Sequence, residues 1–368
     1  AGTHTLVSDG QWQCRNDEAF IRPTGRIFNN NLGWEEIYDA RRQAGGAMPH
    51  GNGAGWAPAA ELARPGEDGH AELAPRDIPM LTREPVEPVA VRAVEAVETA
   101  DQIVSLGLRP LWRGDTGRAD VRFWRLLVAT WVHSPADQTV ELGAIAMPTG
   151  HAFAVKLNGR EVDLQHPEGQ AYHTRRVRLR KGANVLLLHP PRFVGACELA
   201  LTIRAGHALR FAAGSDAEPQ EAFTGVALGP FERPEVDRYA EVWLRGDELA
   251  PGATAERFED IWRRGEPTPD DRAAPLARPL PPECVLAADV RATCRSERVA
   301  RARPRVDAPQ ALQRDNADWT TVHPLGGADT RLLLDFGDEV VGWQEFEVDA
   351  PAGAVLDGHG FEFIQRDG

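Results

Sequence analysis

Short runs in which apolar and polar residues alternate recur along the chain, and Gly, Pro, Asn or Asp bounds most of them. Examples are VRFWRLLVATWVHS, TVELGAIA, FAVKLNGREV, RRVRLRKGANVLLLHP and CELALTIRAG. Short, regularly bounded runs of this kind are typical of antiparallel strands in sandwiches and barrels. The pattern therefore predicts a mostly β chain of tandem antiparallel β-sandwich or jelly-roll domains with few short helices.

A few segments carry clear turn or helix signals. Asn158-Gly159 separates two alternating runs, and this dipeptide tolerates the positive φ angles of a tight hairpin. Lys181-Gly182-Ala183-Asn184 predicts a second turn, before an apolar strand. Helical periodicity is convincing only in ATAERFEDIWRR, at 253–264. In EPVAVRAVEAVETA, at 87–100, Val at nearly every second position fits a strand at least as well as a helix.

Changes in composition divide the chain into four segments. The alternating runs define a jelly-roll β-sandwich at 89–211, and another β-domain precedes it at 1–88. Segment 212–282 is rich in Pro, Glu and Asp, so we expect too little apolar material for a core. It is interpreted as an extended, solvated connection around one short helix. Strands resume at 283–368, which predicts the start of a further β-domain.

Charge and hydropathy argue against two classes of partner. The formal net charge is −14, whereas binding to nucleic-acid phosphates needs a basic stripe. No apolar run approaches the roughly 18 to 20 residues of a bilayer span, and the start AGTHTLVSDG lacks a secretory pattern. We expect a soluble protein, cytoplasmic or secreted, that binds no nucleic acid and has no membrane span.

Motifs for metal, redox or nucleophilic chemistry are absent from the sequence. The cysteines lack the CxxC or CxxH spacing of zinc and redox sites, and they stand at Cys14, Cys197, Cys284 and Cys294. Buried free thiols are the favoured interpretation, and a Cys284–Cys294 disulfide is the alternative. Neither GxSxG nor HExxH occurs. We expect no cofactor, with a structural calcium at Asp335, Asp338 and Glu339 suggested by spacing alone.

Three stretches resemble one family in its own order. LGWEEIYDARR at 32–42, with GAGWAPAAEL and LAPRDIPMLTREPVEP, resembles the amino-terminal β-domain of bacterial α-L-rhamnosidases of glycoside hydrolase family 78. DWTTVHP at 318–324 is the second stretch. The third, DFGDEVVGWQEFEVDAPAGAVLDGHGFEFIQRDG, resembles the start of the family's concanavalin-like domain. The central KGxNxLLL pattern resembles jelly-roll domains of glycan-processing enzymes, which many β-sandwiches share.

This resemblance implies a function for the whole enzyme and a limited role for this chain. In the family, an (α/α)6 barrel follows the concanavalin-like domain and holds the catalytic carboxylates, and no helical region of that size is present here. The resemblance therefore implies that segments 1–88 and 283–368 are incomplete domains, with no catalytic residue in this chain. It implies a non-catalytic accessory region of a hydrolase that removes terminal α-L-rhamnose from glycosides or glycans, with the missing barrel domain as its partner. The alternative is a free-standing carbohydrate-binding module without hydrolase activity.

Five residues are candidate carbohydrate-binding residues, because aromatic rings stack on sugar C–H groups while carboxylates and guanidinium groups bind hydroxyls. They are Trp34, Tyr38, Asp39, Arg41 and Trp343. A structural interpretation is favoured at each position. Asp39 and Arg41 then brace a turn, Trp34 and Tyr38 fill a sandwich core, and Trp343 packs from a strand into a core or against another domain.

The last segment carries a separate expectation about stability. DFGDEVVGWQEFEVDA, from Asp335 to Ala350, alternates apolar and polar positions, which predicts a strand with one covered face and a hydrogen-bonded edge. One or two strand pairs alone are not stable in water. We therefore expect Asp335–Gly368 to depend on contacts outside this chain and its amides to exchange quickly.

Overall fold

The computed structural model describes residues 9–21, 37–42, 56–63, 66, 74, 77–79, 82, 84–108, 111, 123–147, 153–164, 174–189, 193–194, 198–232, 249–286, 293 and 296–361. These residues fall into two compact units. The smaller unit contains the described residues up to 21, those from 37 to 87, and 349–354. The larger unit contains the described residues from 88 to 348 and from 355 to 361.

The strands of the described residues are β1 (Gln13–Cys14), β2 (Ala57–Pro58), β3 (Ala90–Glu98), β4 (Gln102–Gly107), β5 (Phe123–Trp124), β6 (Leu127–Ser134), β7 (Gln138–Met147), β8 (Ala154–Leu157), β9 (Arg160–Val162), β10 (Thr174–Leu179), β11 (Gly182–His189), β12 (Phe193–Val194), β13 (Glu198–Arg204), β14 (Arg210–Ala212), β15 (Val226–Leu228), β16 (Ala277–Pro279), β17 (Val285–Leu286), β18 (Arg298–Val299), β19 (Val306–Asp307), β20 (Thr321–Val322) and β21 (Asp329–Asp335). The described elements also include helices α1 (Ala255–Arg264) and α2 (Pro269–Ala273) and 3₁₀ turns at Ala40–Arg42, Pro282–Cys284 and Pro309–Gln313. The predicted fold class, mostly β with few short helices, is confirmed.

Two antiparallel sheets form the sandwich of the larger unit. One has five strands in the order β10-β7-β13-β4-β17. The other has seven, in the order β16-β15-β6-β11-β8-β9, with β14 also paired to β6. An apolar core lies between them and contains, for example, Leu142 and Leu201 from the first sheet and Leu186 and Leu188 from the second. Since sequential strands β10 and β11 lie in different sheets, the chain passes from one layer to the other at the Lys181-Gly182 turn.

The seven-stranded sheet is covered on both faces. Alternation along β11 sends Leu186 and Leu188 into the core between the sheets, whereas Val185 and Leu187 join a second apolar cluster with Phe258 of α1. The sequence of the strand at 185–188 is therefore the continuous apolar run VLLL rather than an alternating pattern. Double coverage is the physical reason for such runs.

Described residues of segment 212–282 are buried in the larger unit, so its interpretation as a solvated connection around one helix is wrong. It supplies β15 and β16 to the seven-stranded sheet and contains α1 and α2. Its apolar residues are few but well placed: Phe258 and Ile261 of α1 are fully or almost fully buried, three positions apart on one helix face. The Pro-rich composition concealed a small number of effective core residues. The domain boundaries themselves stay predictions.

The hairpin and helix signals are confirmed, whereas Gly182–Asn184 of the second predicted turn already belong to strand β11. Strands β8 and β9 pair across Asn158-Gly159, whose φ angles are 50° and 78°. Helix α1 begins after Thr254, whose side chain accepts a hydrogen bond from the Arg257 amide, and it ends at Gly265 with φ of 83°. The segment 87–100 forms strand β3 rather than a helix.

A third sheet of the larger unit has the order β18-β3-β21. Strand β21 ends at Asp335, and residues 336–348 form no strand. The predicted strand in DFGDEVVGWQEFEVDA is therefore wrong beyond Asp335. Residues 336–348, the exposed segment, have apolar side chains that lie open to solvent: Val340, Val341, Trp343, Phe346 and Val348.

Candidate functional site

Tyr38, Asp39 and Arg41 lie in the smaller unit, around the 3₁₀ turn Ala40–Arg42. Arg41 donates two hydrogen bonds to the Asp39 carboxylate, from Nε at 2.7 Å and from an Nη atom at 2.9 Å. The same carboxylate accepts the Arg41 backbone amide at 3.2 Å. The Arg41 side chain, with smaller help from the backbone bond, lowers the pKa of Asp39 to about 2.

This geometry supports the turn-bracing interpretation of Asp39 and Arg41. The carboxylate accepts hydrogen bonds from a residue two positions away, which is the usual arrangement of an Asx turn. Tyr38 differs from the favoured interpretation: it is 46% exposed, and its ring contacts the edge of Phe20 with centroids 5.0 Å apart. The proposal that Tyr38 fills a core is therefore wrong, while its part in sugar binding stays a prediction.

The two tryptophan candidates have separate outcomes. Trp34 lies outside the described residues. Trp343 lies in the exposed segment of the larger unit and is 72% exposed, so core packing within the described chain is wrong. Packing against another domain and sugar stacking both stay predictions for Trp343.

A different group of polar side chains converges in the larger unit, on the two-stranded ribbon β19–β20. His323 Nε2 lies 2.7 Å from Asp307 Oδ2, and Arg305 donates to both oxygens of that carboxylate at 3.3 and 3.1 Å. The hydrogen bond from His323, followed by that from Arg305, lowers the pKa of Asp307. The ribbon thus holds an ionised carboxylate between an imidazole and a guanidinium group.

Register explains why these residues meet. Asp307 pairs with Thr321, and the His323 amide donates to the Arg305 carbonyl at 3.0 Å. Paired residues of antiparallel strands share one face, and side chains two positions apart lie on the same face. Arg305, Asp307 and His323 therefore stand together. DWTTVHP, which contains His323, was identified only by its resemblance to the family. The cluster itself was not predicted, because Asp307 and His323 are sixteen residues apart and match no motif.

Other titratable groups have structural roles. His189 is half-buried, and its ring makes T-shaped contacts with the Phe258 and Trp262 rings, whose centroids lie 4.7 and 5.5 Å away. Burial, with the Arg125 cation adding to it, lowers the pKa of His189 to about 4. Lys156 donates from Nζ to the Trp262 carbonyl at 2.8 Å, in the last turn of α1. A cation at a helix carboxyl end is stabilising, so this lysine fixes α1 to the sheet.

The cysteine and calcium expectations are also answered in part. Cys284 is a buried free thiol, and burial, followed by the Glu283 charge, raises its pKa to about 11. The disulfide alternative is therefore wrong for Cys284, and Cys14, being exposed, is not the buried thiol we expected. Within the described ranges, no group of three or more His, Cys, Asp or Glu residues has the arrangement of a metal site. Asp335 instead binds Arg92 and the Gly337 amide.

Comparisons with known proteins identify one solved structure with a similar fold. No protein-family model matches the chain, and no curated protein matches it. Among solved structures, a GH78 family rhamnosidase of Bacillus sp. GL1 matches with a TM-score of 0.60 and 19% sequence identity. The fold is shared with part of a glycoside hydrolase. The match covers 90% of this chain and 34% of the rhamnosidase chain, so the present chain spans about a third of that protein's length.

The described helices also bear on the membrane prediction. None of them is both long enough and apolar enough to traverse a lipid bilayer.

Proposed function

We propose that this chain is the non-catalytic β-sandwich region of an α-L-rhamnosidase-like glycoside hydrolase. The observation that carries the proposal is the fold shared with a GH78 family rhamnosidase over 90% of the chain. The ordered family-like stretches at 32–42, 318–324 and 335–368 point the same way.

In this proposal, hydrolysis belongs to a barrel domain encoded with the chain. Glycoside hydrolysis needs two carboxyl groups roughly 5 to 10 Å apart, one of them protonated at working pH. The carboxylates of the two polar clusters described above, Asp39 and Asp307, both have lowered pKa values and arginine partners. Carboxylates held in the ionised form do not serve as general acids. The role assigned to the chain is therefore to support the catalytic domain and bind rhamnose-containing glycans.

Turnover assays test this function. The chain and the product of the complete reading frame that encodes it are purified and assayed on aryl α-L-rhamnoside and on a panel of other aryl glycosides. We expect release from the rhamnoside by the complete product and none by the chain. Release by the chain alone refutes the non-catalytic role. If the complete product acts on a different sugar and not on the rhamnoside, the proposed substrate is refuted.

A second candidate function is a free-standing carbohydrate-binding module. The observation that favours it is the exposure of Trp12, Trp319 and Trp343, since aromatic rings open to solvent are the usual platforms for sugars. A reading frame that continues into several hundred helix-periodic residues supports the hydrolase. A stop codon directly after Gly368, together with glycan binding by the chain, supports the module.

A further inference from the structure

We infer that the free edge of strand β10 is an interaction surface for the exposed segment of a second copy of this chain. The contact adds residues 345–347 of one copy as a short strand beside Arg176, Val177 and Arg178 of the other. This association is a property of the 368-residue chain and is independent of the proposed function.

Strand β10 is the outermost strand of the five-stranded sheet. Its one strand partner among the described residues is β7, so its other edge offers unpaired backbone N–H and C=O groups. Burial alternates along the strand: Val177 and Leu179 pack on the sandwich core, whereas Arg176 and Arg178 are exposed. The edge therefore presents two arginines on one face and an apolar side chain, between them in sequence, on the other.

The arginines of this edge have little acidic compensation nearby. Glu141 of β7 lies opposite Arg176 in the sheet, but it forms an ion pair with Arg298, so its charge is already shared. Arg178 contacts Asp137 at 3.3 Å, and both of these side chains are largely exposed. In a chain with a net charge of −14, the edge of β10 is thus a basic surface that attracts acidic groups.

The exposed segment carries the complementary pattern. Glu345 and Glu347 are two positions apart, and Phe346 lies between them. All three side chains are exposed, Phe346 to 51%, and these residues form no strand in the structure. If their backbone becomes a strand, the two glutamates share one face and the phenylalanine lies on the other.

The two patterns match in either strand direction. When Phe346 stands opposite Val177, Glu345 and Glu347 stand opposite the two arginines, whether the strands run parallel or antiparallel. Opposite charges attract across paired strands, and Phe346 covers Val177, which is only partly buried at the margin of the core. Backbone hydrogen bonds complete such a strand addition. Pairing of two exposed segments, or of two β10 edges, places like charges opposite one another and is disfavoured.

A contact of this size is weak. It adds only a few residues of strand, so it buries less than the roughly 1,200 Å² of stable complexes. We expect a dissociation constant on the order of 100 μM. At the lower concentrations used for hydrogen exchange the chain is then monomeric, and its exposed segment stays unprotected.

Sedimentation velocity of charge-reversed variants at increasing concentration tests the contact. The edge variant carries Arg176→Glu and Arg178→Glu, and the segment variant carries Glu345→Arg and Glu347→Arg. In each variant like charges face each other across the contact. We therefore expect each variant alone to associate with a dissociation constant about tenfold or more above that of the parent chain.

A mixture of the two variants provides the decisive comparison. The unchanged segment of the edge variant meets the unchanged β10 of the segment variant, so we expect the equimolar mixture to associate as the parent chain does. As a control, Arg301→Glu with Arg303→Glu reverses two other exposed arginines and changes the net charge equally. This control should keep the dissociation constant within about twofold at physiological salt. Circular dichroism of each variant verifies that the fold is retained.

Three results overturn the inference. They are a parent chain that stays monomeric up to about 1 mM, association retained by either variant alone, and a mixture that associates no better than its separate components. None of them affects the proposed function, because rhamnoside turnover by the complete reading-frame product is measured independently. Loss of association in both variants, with its return in the mixture, supports the contact.

Discussion

Strand β7 and the exposed segment carry similar sequence patterns and have opposite structures. TVELGAIA in β7 and DEVVGWQEFEV in the exposed segment both alternate apolar and polar positions. Strand β7 lies between β10 and β13, and its Val140, Leu142 and Ala144 side chains face the sandwich core. The exposed segment has no strand partner among the described residues, and its Val341 side chain is 99% exposed. Alternation thus predicts a strand only where another strand edge and a covering layer are available.

The largest expected effect on stability concerns His189, at the end of β11 in the packed sandwich. The pKa of His189 falls from its ordinary value of 6.5 in the unfolded chain to about 4 in the folded chain. Between these values the unfolded chain binds a proton that the folded chain does not, so stability present above pH 6.5 is lost as the pH falls towards 4. The full loss is about 3 kcal/mol.

Urea unfolding across this pH window measures the His189 effect. The His189→Gln variant removes the titrating group, so its free energy of unfolding should depend less on pH than that of the parent chain. Replacement of an exposed histidine, in His207→Gln, should keep the parent dependence. The same pH dependence in His189→Gln as in the parent chain contradicts the neutral state of His189.

A pair of identical substitutions compares the two regions directly. Val140→Ala in β7 removes methyl groups from the sandwich core, and we expect a loss of about 2 kcal/mol in the free energy of unfolding. Val341→Ala in the exposed segment should change it by less than about 0.5 kcal/mol. Equal losses in the two variants, measured by urea unfolding, mean that the exposed segment packs against the fold.

A smaller effect is expected from the helix that covers the outer face of the seven-stranded sheet. Thr254 caps α1 through the hydrogen bond that its side chain accepts from the Arg257 amide at 3.2 Å. Thr254→Ala should cost about 1 kcal/mol, because a helix amide loses its partner. Thr254→Ser keeps the hydroxyl and serves as the control. No difference in unfolding between the two variants contradicts the cap.

The smallest effect on stability is expected from a charge in the exposed segment. Val341→Lys should leave the free energy of unfolding within about 0.5 kcal/mol, since the side chain meets solvent in either case. The same change should reduce self-association, because charges on unpaired apolar segments oppose intermolecular pairing. Sedimentation velocity at increasing concentration measures this association. A clear loss of stability shows that Val341 has a packing partner.

Local signals predicted those parts of the fold that depend on neighbouring residues. Asn158-Gly159 specified a hairpin, and the periodicity of 253–264 specified α1. The packing of distant elements could not be predicted from the sequence. Phe258, for example, packs on the sheet although its segment is rich in Pro and acidic residues. The strand prediction for the exposed segment was wrong for the opposite reason, since an alternating pattern does not show whether a partner strand exists.

The candidate site was less predictable than the fold. Asp39 and Arg41 are two residues apart, so their bonding could be inferred from the sequence. The ribbon cluster could not, because β-strand register brings Asp307 to His323 and no short motif encodes that contact. The available signal was the spacing of Arg305 and Asp307, and of Thr321 and His323, at alternate positions of two short β-prone runs.

Hydrogen exchange, followed by mass spectrometry, tests most directly whether the exposed segment lacks its partner in this chain. We predict fast exchange at Val340–Val348 and slow exchange at Leu127–Trp131 of β6, because protection follows hydrogen bonding and burial. In the product of the complete reading frame, the proposed function predicts that Val340–Val348 becomes protected while β6 stays unchanged. Equal protection of both regions in the 368-residue chain contradicts the account.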